Sequence, residues 1–217
     1  MTPAPALAPA AVTRPATDQA IFAAAAQEFA ESGFDAAGVD RIAARAGVNK
    51  AMLYYHFGSK RALYVEVLRD MFRAVGERAR SIADGPGTAP EKLDAWIGTV
   101  VEQAAARPWF PPIMLRELAS GAPRLDPETF ALMNAVFGAV RDVILQGQRE
   151  GVFDDVDPLL THLTIMPPIL IYFARERALT AHHEQNGLAA PRRLDEFVAH
   201  MRRAARQLVS TPGRSTP

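Results

Sequence analysis

Residues 39–63, VDRIAARAGVNKAMLYYHFGSKRAL, leave few folds open. Val39, Ile42, Ala43 and Ala46 recur at three- and four-residue spacing and share one face of a short helix. Gly47 ends it, because a residue without Cβ takes the positive φ of a tight turn without a clash. Val48 is apolar and suits the space where two helices cross. Asn49 offers a side-chain oxygen to cap a second short helix, Lys50 to about His56. Two short helices joined by a glycine turn read as a helix-turn-helix, whose second helix is presented to the DNA major groove.

The charge pattern points the same way. The chain is formally neutral, with 24 basic and 24 acidic side chains. From Arg41 through Val65, however, it carries Arg41, Arg45, Lys50, Lys60 and Arg61 and no Asp or Glu. A local basic run on a neutral molecule suits phosphate contact.

AARAGVNKAMLYYHFGSKRAL, with IFAAAAQEFAESGF before it, resembles the DNA-binding domain of the tetracycline-repressor (TetR) family of bacterial transcriptional regulators. The matching features are Ile21, Phe29, Gly33-Phe34, Ile42-Ala43, Ala46-Gly47-Val48, Leu53-Tyr54, His56-Phe57, Ser59-Lys60 and Leu63, over the first third of the chain. The LYYHFGSK run directly after the turn makes the match specific. The resemblance implies a homodimeric repressor, released from a palindromic DNA operator by a small hydrophobic molecule. The sequence departs from the family pattern at Ala37 and Gly38, where Thr or Ser is usual before the second helix. Ala51 and Met52 stand where Gly and a small hydroxyl residue are usual. Loss of the capping hydroxyl carries a cost of about 1 kcal/mol, which Asp40 in the first turn partly offsets through the helix dipole.

At 217 residues and 49% hydrophobic, the chain accommodates a DNA-binding domain and a larger body with its own core. No apolar run approaches the roughly 18 residues of a membrane span. The opening MTPAPALAPAAVTRPA has no cationic region ahead of its apolar part and does not read as a signal peptide. With no cysteine there is no disulfide or thiolate chemistry, which fits a cytoplasmic protein.

Taken in order, residues 1–16 are a Pro/Ala-rich tail expected to be disordered, with Arg14 its one charge. Residues 17–64 form the DNA-binding domain, opening on a helix near 18–32 capped by Thr17 or Asp18 and stopped by Gly33. Residues 65–210 form a helical regulatory and dimerisation domain, and 211–217 a second disordered tail. A fourth helix is expected from Ser59 to about Ile82. A fifth opens on the capping-box pattern Thr88 to Glu91. A sixth spans Ile113–Ser120 after an interruption at Pro108–Pro112. The seventh and eighth open on Asp126-Pro127 and Asp157-Pro158, and the ninth at Pro191. Nothing of length reads as strand, so the expected fold is all-α with about nine helices.

The residues expected at DNA bases are Lys50, Ala51, Met52 and Tyr55. Lysine donates to guanine, and small or apolar side chains meet a thymine methyl. Tyr54, His56 and Lys60 are assigned to phosphates, which position rather than specify. A ligand pocket is expected among Trp96, Trp109, Phe110, Met114, Arg116, Glu117, Met133, Phe137, His162, Met166 and Tyr172, aromatics and methionines with a few polar groups. Arg116-Glu117 is alternatively a structural ion pair. Pro167-Pro168 inside the eighth helix should kink it and shape the pocket wall. Leu163, Leu170 and Phe173, with Leu194, Phe197 and Met201, are expected at the dimer interface.

No catalytic or metal motif and no cofactor site stands out. His182 and His183 are adjacent, about 100° apart on a helix, and do not form a chelating face. Two alternatives stay open at this point. One is an enzyme or small-molecule carrier with a vestigial DNA head. The other is an interaction scaffold using Arg192, Arg193, Arg202, Arg203 and Arg206.

Overall fold

The computed structural model of the chain describes residues 15–186 and 193–210, the side chains of 177–186 excepted. Among these residues every regular element is helical: α1 (Ala16–Ala36), α2 (Val39–Ala46), α3 (Lys50–Phe57), α4 (Lys60–Asp84), α5 (Ala89–Ala106), α6 (Phe110–Ala119), α7 (Pro127–Arg149), α8 (Pro158–Asn186) and α9 (Leu194–Val209). Arg14, Pro191, Arg192, the side chains of His182 and His183 and the segment 211–217 lie outside the described residues. The chain divides into two units between Val67 and Leu68.

In the first unit α1 supports the helix-turn-helix. Ile21, Ala25 and Phe29 form its fully buried face, as their spacing requires. The helix opens at Ala16 rather than after Thr17 or Asp18, and neither caps it; its N-cap is Pro15. Gly33 sits at φ 74°, a break that one further turn follows. Phe34 folds back, and the Tyr64 ring meets Phe29 and Phe34 edge-on at 4.9 and 5.0 Å. At the end of α2, Gly47 takes the left-handed conformation (φ 68°, ψ 27°). Its N–H bonds Ala44 O at 3.2 Å and the Val48 N–H bonds Ala43 O at 3.0 Å. These two bonds satisfy carbonyls that the helix end would otherwise orphan. Asn49 then caps α3, accepting the Met52 N–H at 2.8 Å.

In the second unit α5 is central, packing against α7, α8 and α9, while α8 also packs on α6, α7 and α9. Leu93, Trp96, Ile97, Val101, Ala139, Val140, Ile144 and Ile169 are fully buried. At the start of α5 the Glu91 carboxylate accepts both the N–H and the hydroxyl of Thr88, at 2.9 and 2.8 Å. Asp126 caps α7 by accepting the Thr129 N–H at 2.8 Å, and Arg69 donates to its other oxygen at 2.6 Å.

Two expectations are corrected. Pro111 and Pro112 do not interrupt the chain; they lie in the first turn of α6, where a missing N–H has no helical partner to lose. Pro167 and Pro168 lie inside α8, as their position in the sequence leads one to expect. Helix α7 is long and apolar enough to cross a membrane by length and composition. Its apolar side, including Val136, Val140, Val143 and Ile144, is part of the buried core.

Candidate DNA-reading face and effector cavity

Helix α3 is anchored by one side chain. Leu53 is fully buried, and around it Lys50, Ala51, Met52, Tyr54 and Tyr55 face solvent. Tyr55 is 82% exposed and has no role in the core. A short helix that presents Met52, Tyr54 and Tyr55 outward has a surface suited to base edges and thymine methyl groups.

The cations around this helix are less free than the sequence run implies. Arg41 Nε donates to Glu28 Oε1 at 2.7 Å, Arg45 pairs with Glu31 at 2.8 Å, and Lys50 lies 3.1 Å from Asp40. The acids come from α1 and from the first turn of α2. Between Pro15 and Val67 there are six carboxylates and five Lys or Arg side chains, so the unit as a whole carries no basic excess. Among the described residues Arg61 is exposed and unpaired.

Two of the residues assigned to phosphates make contacts within the unit. His56 Nδ1 is 2.6 Å from Asp18 Oδ1, and the ring is largely covered. This is the packing role that an aromatic side chain on the inner edge of a short helix takes. Lys60 Nζ donates to the Asp35 carbonyl at 3.2 Å and lies 4.7 Å above the Phe34 ring. The unfavourable position of a cation at a helix N-terminus is thereby offset by a carbonyl and a π-face. Tyr54 remains 42% exposed.

Ala37 and Gly38 leave α2 with no side-chain cap of its own. Glu28 takes over that task. Its carboxylate, 3% exposed, accepts the Gly38 N–H at 3.3 Å, the Ser32 hydroxyl at 3.3 Å and Arg41. Burial alone would raise the Glu28 carboxyl, but the Arg41 and Gly38 hydrogen bonds and the Arg41 charge outweigh it and hold it below the usual range. The sequence does not mark this residue as special: it is one of several acids on α1, and only the fold brings it beneath the turn.

The second unit holds a partly open cavity of about 270 Å³ between α4, α5, α6, α7 and α8. Of the expected pocket residues, Phe110, Met114, Met133, Phe137, His162 and Met166 line it. Trp96 lies one layer behind, fully buried, with its ring 5.8 Å from that of His162. Trp109 stands edge-on to Phe110 outside the lining. Arg116 is exposed and does not reach the cavity. Buried Glu117 pairs with Arg124 at 3.4 Å and also accepts the Arg124 N–H at 2.9 Å. Tyr172 stacks on Phe197 with ring centroids 3.8 Å apart, joining α8 to α9 away from the cavity. Helix α4 contributes Met71, Phe72 and Val75, none of them among the expected pocket residues; spacing cannot tell a core wall from a cavity wall. Pro167 is part of the lining, in keeping with a proline that shapes the wall.

The residues expected at a dimer interface divide. Leu163 is 54% exposed and lines the cavity, and Leu194 is exposed, as are Leu159, Leu160 and Ile171. Leu170 and Met201 are buried in their own chain, and Phe173 and Phe197 are half-buried around the Tyr172 stack. The arginines in and just before α9 are partly committed: Arg202 Nε donates to the Asp94 carbonyl, Arg206 pairs with the Asp94 carboxylate, and Arg193, the N-cap, pairs with Asp195.

The family model for bacterial regulatory proteins of the tetR family matches residues 21–67, and that for the tetracyclin repressor-like C-terminal domain matches residues 90–205. The chain is 28% identical over 155 residues to the HTH-type transcriptional repressor NicS of Pseudomonas putida, covering 70% of this chain and 73% of that protein. It is 32% identical over 146 residues to the HTH-type transcriptional repressor SCO4008 of Streptomyces coelicolor, covering 66% and 70%. In fold it is similar to the ketosteroid transcriptional regulator KstR2 of Mycobacterium tuberculosis, with a TM-score of 0.71 at 22% identity, over 90% of this chain and 95% of that one. These relatives are regulators, and the reading of the chain as an enzyme falls away. With a helix-turn-helix unit and a helical body each matched in sequence, the chain is a DNA-binding transcriptional regulator that belongs to the TetR family.

Proposed function

We propose that this regulator is a cytoplasmic homodimeric repressor that leaves a palindromic operator when a small hydrophobic molecule occupies the cavity. The observation that carries the reading is the continuity of α4. Leu63 and Tyr64 in its first turns are buried in the DNA-binding unit, while Met71, Phe72 and Val75 of the same helix line the cavity. A molecule that fits the cavity better in one position of α4 biases the helix that also carries part of the DNA-head core. Only a difference in affinity between two states drives such a shift.

The exposed apolar residues Leu159, Leu160, Leu163 and Ile171 of α8, with Leu194 and Leu208 of α9, support pairing of two copies through these helices. Two-fold pairing matches two reading helices to two half-sites. Selection from random-sequence duplexes by the purified full-length protein tests this reading. It should enrich sequences with two-fold symmetry. Enrichment of asymmetric sites, or none, would overturn it.

A further inference from the structure

The cavity lining holds no charged side chain; its polar members are Asn134 and His162. The His162 ring sits between Trp96, at 5.8 Å, and Phe137, at 5.3 Å. Its Nδ1 is buried and has no hydrogen-bond partner. Burial pushes the imidazole down to a pKa of about 4, so it is neutral near pH 7. A neutral imidazole carries one proton. On the sealed Nδ1 that proton would be a stranded donor, which folded proteins avoid. The proton therefore belongs on Nε2, the other ring nitrogen; because His162 lines the cavity, this N–H is the donor it can offer to a molecule that enters.

We infer that the cavity takes an uncharged, largely apolar molecule with one carbonyl-type oxygen, and that His162 Nε2–H is the residue that selects it. A carboxylate of the same chain length meets no cation there and loses its hydration without compensation. A pure hydrocarbon leaves the donor unpaired, which costs affinity. The inference rests on the reading of the cavity as the effector site.

The test is isothermal titration calorimetry of the full chain at pH 7.5 with three probes: 2-decanone, decanoate and butylbenzene. The wild-type protein should bind 2-decanone about tenfold or more tighter than decanoate. His162→Phe, of similar size and without the donor, should weaken 2-decanone about tenfold and change butylbenzene less than about twofold. His162→Gln, which restores an N–H, should recover part of the loss. Decanoate binding as tightly as 2-decanone overturns the inference, and that comparison needs no variant to fold. Equal ketone affinity in wild type and His162→Phe, with butylbenzene still bound, also overturns it while leaving the effector cavity standing. Failure of all three probes to bind the wild-type protein removes the cavity reading and the inference together.

Discussion

The carboxylate of Glu28, on α1, accepts the backbone N–H of Gly38, the residue that opens α2, at 3.3 Å. The first helix of the helix-turn-helix is thus capped from its neighbour. The side-chain cap that Ala37 and Gly38 do not supply is replaced by a buried acid that also holds Arg41.

Glu28→Ala should loosen α2, because it strands a backbone N–H and Arg41 together. The cost is about 1–3 kcal/mol. Because the folded carboxyl is held below its usual value, the stabilisation is present above the unfolded pKa and fades as pH falls through the folded one. Hydrogen exchange checks this: peptides covering 37–46 should lose protection at pH 7, and those covering 127–149 should not.

Asp126 is the second titrating anchor. Hydrogen bonds from the Thr129 hydroxyl and N–H, with Arg69, lower its pKa from 3.8 to about 2. Its side chain is 35% exposed, so solvent screening reduces the contribution to about 1–2 kcal/mol. Asp126→Asn should lower urea stability by this amount above pH 4, with the difference from wild type shrinking as pH falls toward 2.

On α3 the residues divide by what else they hold. Tyr55→Ala should leave stability within about 0.5 kcal/mol of wild type, since the side chain is 82% exposed. Its effect should fall on DNA, with a loss of about 1–3 kcal/mol for the preferred sequence and little for scrambled DNA. Tyr54→Ala should weaken both alike. Competition binding with the two duplexes separates the cases.

Gly147 has no room for a side chain. A Cβ there would fall inside contact distance of the Phe153 ring, and the Phe153 N–H bonds the Gly147 carbonyl at 3.0 Å. Gly147→Ala should therefore destabilise the second unit by about 1–3 kcal/mol despite its better helix propensity, as thermal unfolding would report.

The helices were legible because their signals are local. Asn49, Asp126, Glu91 and the Gly47 turn act over three or four residues, and each appears where the sequence placed it. The second unit's cavity was half legible: Phe110, Phe137 and His162 are its lining, whereas Trp96 and Tyr172, of the same residue types, belong to the core and to the α8–α9 stack. Composition marks an apolar side chain as buried and does not say whether it meets a void or another side chain. Charge misled for a related reason. The acids that neutralise Arg41 and Arg45 lie 13 and 14 residues earlier, on another helix, so a run free of Asp and Glu in sequence is not one in space.

The measurement that bears most directly on the central claim is fluorescence anisotropy of the full chain on DNA from upstream of its own gene, against scrambled DNA, at two salt concentrations. Sequence-specific operator binding requires tight binding to the upstream DNA that persists at the higher salt, with the scrambled duplex far weaker. Equal, weak binding to both that disappears with salt would leave only the phosphate contribution and contradict the account.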